Sequence, residues 1–139
     1  MQSWVLFSIG SAVFAGLVAI FGKIGIANVD STLATTVRAL IMGIFLAIIS
    51  LSLGKFDSLS TLMGKPMLFI MLSGVAGALS WLCYFVALKY GPASGVAAID
   101  RTSVVFVLIF AALFLAEKIT LKSGLGALMI ALGAILMSF

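Results

Sequence analysis

An all-α integral membrane protein with five transmembrane helices is the fold class the sequence predicts. Three observations carry it: 64% of the 139 residues are hydrophobic, only 9% are charged, and apolar stretches near 20 residues long recur between short polar turns. A soluble domain carries about 25% charged residues, so this balance leaves too few polar groups for a water-facing surface. A helix needs about 20 apolar residues to cross the hydrocarbon core.

The spans follow in order. Trp4 to Gly22 is the first; the preceding residues lack the basic flank of a signal peptide, so it reads as a retained helix. Leu33 to Leu53 is the second. Met67 to Leu88 is the third, opened by Pro66 and closed by Gly91. Ala93 to Ala116 reads as one continuous fourth helix after Pro92, and Leu121 to Phe139 is the fifth. The connections are short, so residues 1–139 form a single transmembrane domain and any function resides in the bundle.

With an odd number of spans the termini face opposite sides. The N-terminal side carries Lys55, Lys65, Lys118 and Lys122; the other carries Lys23 and Lys89, with Arg38 and Arg101 inside spans entered from it. The positive-inside rule favours the N-terminal side in the cytoplasm by a narrow margin, which leaves insertion in both orientations open. The net charge of +4 is scattered rather than striped, an argument against nucleic-acid binding. With no His and a single Cys, Cys83, neither a disulfide framework nor a Cys/His metal site can be assembled.

The chemistry lies within the spans. Asp100 and Arg101 interrupt an apolar run, GVAAIDRTSVVFVLIF, and each costs roughly 2.5 to 3.5 kcal/mol at the centre of a spanning helix. At 1.5 Å per residue, Asp100 lies roughly 12 Å below the membrane face that Pro92 marks, Arg38 roughly 9 Å below the same face and Trp81 about 13 Å. The hydrocarbon half-thickness is about 15 Å. Arg38, Asp100, Arg101, Trp81 and Tyr84 are therefore the candidates for substrate binding or coupling, around a polar centre near the midplane. Asp100 lies on a helical stripe with Ala93, Ala97, Val104 and Ala111, and can offset one arginine, either Arg38 or Arg101.

The excess positive charge suits a substrate carboxylate or phosphate, while Asp100 suits proton coupling or a cationic substrate; the residues do not choose between these. The competing reading is a register-fixing pair of Asp100 with Arg38, with Arg101 reaching to the interface. Trp81 and Tyr84 can stack on a ligand, bind a cation or simply pack. Lys23 is a weaker candidate for a cavity mouth, and Trp4 and Tyr90 are interfacial anchors. Small residues at four-residue spacing, Ala12 with Gly16, Ser73 with Gly77, Gly74 with Ala78 and Ala127 with Ala131, read as seams inside the bundle; Gly126 and Gly133 extend the last.

No catalytic residues are proposed and no cofactor is implied. GLVAIFGKI departs from a phosphate loop in its glycine spacing and in Ile24, and GLGALM lacks the third glycine and the preceding strand of a dinucleotide fingerprint.

The segments FGKIGI at 21–26, VRAL at 37–40, WLCYFVALKYGPASGVAAID at 81–100 and FLAEKITLKSGLGALMIALGAIL at 114–136 resemble the EamA-type repeat of the drug/metabolite transporter superfamily. The resemblance implies a transporter of small metabolites or drugs in an inner membrane, with the pathway between two inverted five-helix repeats. These 139 residues supply one repeat, so the implied assembly is a homo-oligomer, as an antiparallel homodimer, or a pair with a different subunit. Asp100-Arg101-Thr102-Ser103 departs from the family pattern, which is commonly uncharged with a proline near Ser103. The expected function is secondary or facilitated transport, in the export direction, of a small solute across the lipid bilayer. The alternative is an accessory membrane subunit whose buried charges specify assembly.

Overall fold

The computed structural model describes residues 3–138. Six α-helices make up the five spans: α1 (Ser3–Gly25), α2 (Ser31–Ser52), α3 (Lys65–Tyr90), α4 (Ala93–Asp100), α5 (Ser103–Phe114) and α6 (Leu121–Ser138), with a 3-10 segment at Lys55–Leu62 between α2 and α3. Each span is long and apolar enough to cross a bilayer, α4 and α5 together forming the fourth. The protein is thus an integral multi-pass membrane protein.

Local chemistry sets the ends. Asp30 caps α2 by accepting the Leu33 amide at 2.9 Å, so the helix begins two residues before the stretch expected from hydropathy. Gly54 takes the left-handed conformation (φ 62°) directly after α2, and Gly64 (φ 93°) precedes α3. Both places suit a residue without Cβ. Pro66 occupies the first turn of α3, and Pro92 caps α4, its carbonyl accepting the Val96 amide at 3.0 Å.

The fourth span differs from the single helix Ala93 to Ala116 that hydropathy suggested. It breaks at Arg101–Thr102 and ends at Phe114. The Arg101 amide is shared between the carbonyls of Ala97 and Ala98, at 3.3 and 3.2 Å, and the Thr102 amide turns back three residues to Ile99 at 2.9 Å. The Thr102 hydroxyl donates to the same Ile99 carbonyl at 2.7 Å, a side-chain bond that competes with the helical ladder. Val104 and Val105 continue the three-residue pattern, bonding to Arg101 and Thr102. Such a turn advances about 120° per residue instead of 100°, so Val104 and Ala111 no longer continue the face on which Asp100 lies.

The chain divides into two compact units. One holds the chain up to Ile24 together with everything from Tyr90 onward; the other is Gly25–Lys89. In the first, α4 packs closely on α6 and α5 more lightly on the same helix. Gly95 is buried, and a Cβ built there would stand 3.3 Å from Pro92 Cγ and 3.4 Å from the Met137 carbonyl oxygen. On α6, Ala127 of the expected small-residue seam is buried, as is Ala134, which was not expected in it. Gly126 and Gly133, expected to extend that seam, are open: added Cβ atoms there would meet nothing within 4 Å. Lys23 ties the end of α1 into this unit by donating to the Gly91 carbonyl at 2.8 Å.

In the second unit, Phe85 and Leu88 of α3 are buried, with Ile26, Ser31 and Thr35. The Thr35 hydroxyl is satisfied by the Ser31 carbonyl at 2.7 Å. Gly74 and Gly77, expected in a seam, line a groove between α2 and α3. Arg38 and Trp81 line the same groove and meet across it.

Candidate functional site

Arg38 lies seven residues into α2 and Trp81 nine residues before the end of α3. At 1.5 Å per residue both are about 10 to 13 Å from helix ends that are joined to the same membrane face. The Arg38 guanidinium carbon lies 3.6 Å from the centroid of the Trp81 ring and 5.6 Å from that of Phe85. Tyr84 meets Trp81 edge-on, centroids 5.4 Å apart at 74°, and Phe85 is tilted against Trp81 at 6.0 Å and Tyr84 at 6.4 Å.

The arrangement answers how a charge is held within this unit. A desolvated cation over an indole face gains about 2 kcal/mol or more, against the roughly 2.5 to 3.5 kcal/mol that an arginine costs at mid-span. The stack therefore offsets most of the cost without neutralising the charge. A ring face also cannot accept the in-plane N–H bonds, of which a guanidinium has five. Within its own unit Arg38 makes no hydrogen bond or ion pair, and among the described residues no side-chain nitrogen or oxygen is buried without a partner. The donor edge accordingly opens onto accessible space.

That space is a groove of about 510 Å³ between α2 and α3. Thr35, Thr36 and Arg38 are its polar lining; Ala39, Met42, Gly43, Leu46, Gly74, Gly77, Ala78, Trp81 and Leu82 supply the apolar walls. Thr35 and Thr36 both spend their hydroxyl protons on α2 carbonyls, those of Ser31 and Thr32. They can offer a ligand only lone pairs.

Three of the sequence-derived candidates, Arg38, Trp81 and Tyr84, are thus brought together, and the cation on the Trp81 face is Arg38 itself. Phe85 was missed, although Trp81, Tyr84, Phe85 and Leu88 follow the three-and-four spacing of one helical face. Asp100 and Arg101 belong to the other unit, at the break between α4 and α5; Asp100 is half-buried and Arg101 exposed. Lys23, expected weakly at a cavity mouth, is half-buried on the Gly91 carbonyl, a contact that anchors the α3–α4 turn.

The chain matches the EamA-like transporter family over residues 2–139. It is 43% identical over 137 residues to an "Uncharacterized transporter in cobO 3'region" of Sinorhizobium sp, covering 99% of this chain and 97% of that one. It is also 38% identical over 73 residues to the "Pseudopaline exporter CntI" of two Pseudomonas aeruginosa strains, a match that spans 52% of this chain and 25% of the exporter. No solved structure matches at a significant level.

Proposed function

This chain belongs to the EamA-like transporter family, and from that premise we propose that it carries a small metabolite or drug-like solute across an inner membrane by secondary or facilitated transport, in the export direction. The observation that carries the reading is Arg38: a cation in mid-span, held by an indole face, whose donor edge opens onto a groove of ligand size. A charge kept only for packing would have its N–H groups bonded. The export direction rests on the likeness to an exporter along part of the chain.

In this reading Arg38, Trp81 and Tyr84 bind substrate, while Asp100 and Arg101 serve coupling or gating at the overwound turn of the fourth span. Three-residue bonding inside a helix often marks a hinge, and the bonding of the turn from Ile99 to Val105 in that pattern supports this reading. Reconstituted vesicles test the assignment. Arg38→Ala and Asp100→Asn should each reduce solute flux to background while the purified variants keep the wild-type oligomeric state. Wild-type flux in both variants would remove the transport role from these residues.

The pathway between inverted repeats calls for a second five-helix unit, and we propose that it comes from another copy of this chain inserted upside down. The narrow margin of positive charge between the two sides, four lysines against two lysines and two arginines, permits it. Single cysteines at Lys55 and at Lys89, in a Cys83→Ser background, should each label with an impermeant thiol reagent in about half of the molecules in intact cells. All-or-none labelling excludes the antiparallel homodimer and points to a different partner subunit.

A further inference from the structure

We infer that the groove between α2 and α3 takes an amphipathic monocarboxylate, an organic acid with a compact apolar body, its carboxylate held by the Arg38 edge and its body laid along the glycine strip. The inference rests on the transport reading above and gives it a substrate class. The geometry selects the anion. Trp81 covers one face of the guanidinium at 3.6 Å, so the in-plane N–H fork remains for a ligand, and that fork matches a carboxylate bidentately.

Charge within the unit agrees. Its acids are Asp30 and Asp57. Asp30 is committed to capping α2, two helical turns before Arg38, and Asp57 lies in the 3-10 segment beyond the other end of α2. Neither can serve as counterion to Arg38 at its depth. A cationic solute would meet an arginine and no acid of this unit; a neutral one would leave the fork unfilled in a medium with little water, which is costly.

The apolar half is set by what is missing. Gly43, Gly74 and Gly77 line the groove, and Cβ atoms added at any of them would meet nothing within 4 Å. Backbone is therefore open to a flat ligand face. Thr36, with its proton donated to the Thr32 carbonyl at 2.9 Å, offers no donor that would favour a strongly hydroxylated body such as a sugar. A ring or short alkyl chain ending in one carboxylate satisfies both halves.

The test uses the 139-residue chain with Trp4→Phe, so that Trp81 is its sole indole, and follows its fluorescence in detergent. The probes are 3-phenylpropionate, its amide and phenethylamine, which share one body and differ in charge. The carboxylate should bind saturably and at least about tenfold more tightly than the amide, since a hydrogen bond to a charged group is worth that factor or more, and the amine should not compete. Arg38→Gln should erase the preference. Gly77→Leu, whose Cβ would meet nothing within 4 Å, should block binding while the protein stays monodisperse.

Equal binding of carboxylate and amide, preference for the amine, no saturable binding, or full binding in Gly77→Leu would each overturn the inference. The comparison among probes on otherwise wild-type protein decides it even where a variant does not fold. Oleate distinguishes the source of the acid: tighter binding than 3-phenylpropionate assigns a membrane-derived fatty acid, weaker binding a soluble organic acid. Charge-selective binding without flux in vesicles would retire the transport reading and leave the site. Flux of another solute that is indifferent to Arg38→Gln would do the reverse.

Discussion

Arg38→Leu should make the protein more stable and unable to transport. Removing the charge recovers roughly 2.5 to 3.5 kcal/mol of insertion cost and forfeits about 2 kcal/mol of cation–π attraction to Trp81. The difference is a gain of about 1 kcal/mol, in line with the frequent gain when a buried charge is replaced by an apolar residue. Trp81→Leu should cost about 2 kcal/mol, because Arg38 then sits at the same depth without its indole face. In the double variant the loss should vanish, giving a coupling of about 2 kcal/mol between the two sites. Equilibrium unfolding of the four proteins in one detergent reads the cycle, and vesicle flux reads function in parallel. A residue retained for assembly behaves in the opposite way: Arg38→Leu would then dissociate or destabilise the protein. That outcome would favour the accessory-subunit reading and remove the stability–activity trade-off that marks a functional charge.

Gly95→Leu should prevent the first unit from folding. Even a methyl there comes within 3.3 Å of Pro92 Cγ and 3.4 Å of the Met137 carbonyl, and the carbonyl belongs to helical backbone that cannot rotate aside. The remaining carbons of leucine add bulk at the same contact, which should drive α4 away from α6. Overpacking of this kind costs about 1 to 3 kcal/mol and at times more, and the contact broken is the most extensive between helices described in that unit. Size-exclusion chromatography after extraction should show aggregated protein. Gly126→Leu on α6, where an added Cβ meets nothing within 4 Å, is the matched control and should remain monodisperse. Equal behaviour of the two variants would mean that α4 and α6 are not packed through Gly95.

Much of this protein was legible in its sequence because the bilayer is a strict solvent. A spanning segment must be apolar, about 20 residues long and hydrogen-bonded within itself, so hydropathy and two prolines located the spans to within a few residues of the observed helices. Relative level along neighbouring helices was readable too, since rise per residue is constant; Arg38 and Trp81 were expected at similar levels, and they meet. Partner choice was not readable. Formal charge left Asp100 as counterion to either Arg38 or Arg101, and gave no sign of the Trp81 face that Arg38 meets within its own unit, which depends on the rotation of two helices that hydropathy leaves free.

The break at Arg101–Thr102 escaped for a related reason. Apolar periodicity averages over turns, while the overwinding comes from one threonine hydroxyl and one bifurcated amide. The small residues show the division most clearly. Their spacing announced close approach of helices, but Gly95 is pressed against the Met137 carbonyl while Gly74 and Gly77 line open space. Sequence by itself determined that these are membrane helices and to which family they belong. Only the tertiary structure decided which small residues are seams and which are cavity, because that depends on what stands across the gap: at Gly95 it is the Met137 carbonyl of α6, and at Gly77 it is a groove that Arg38 and Trp81 also line.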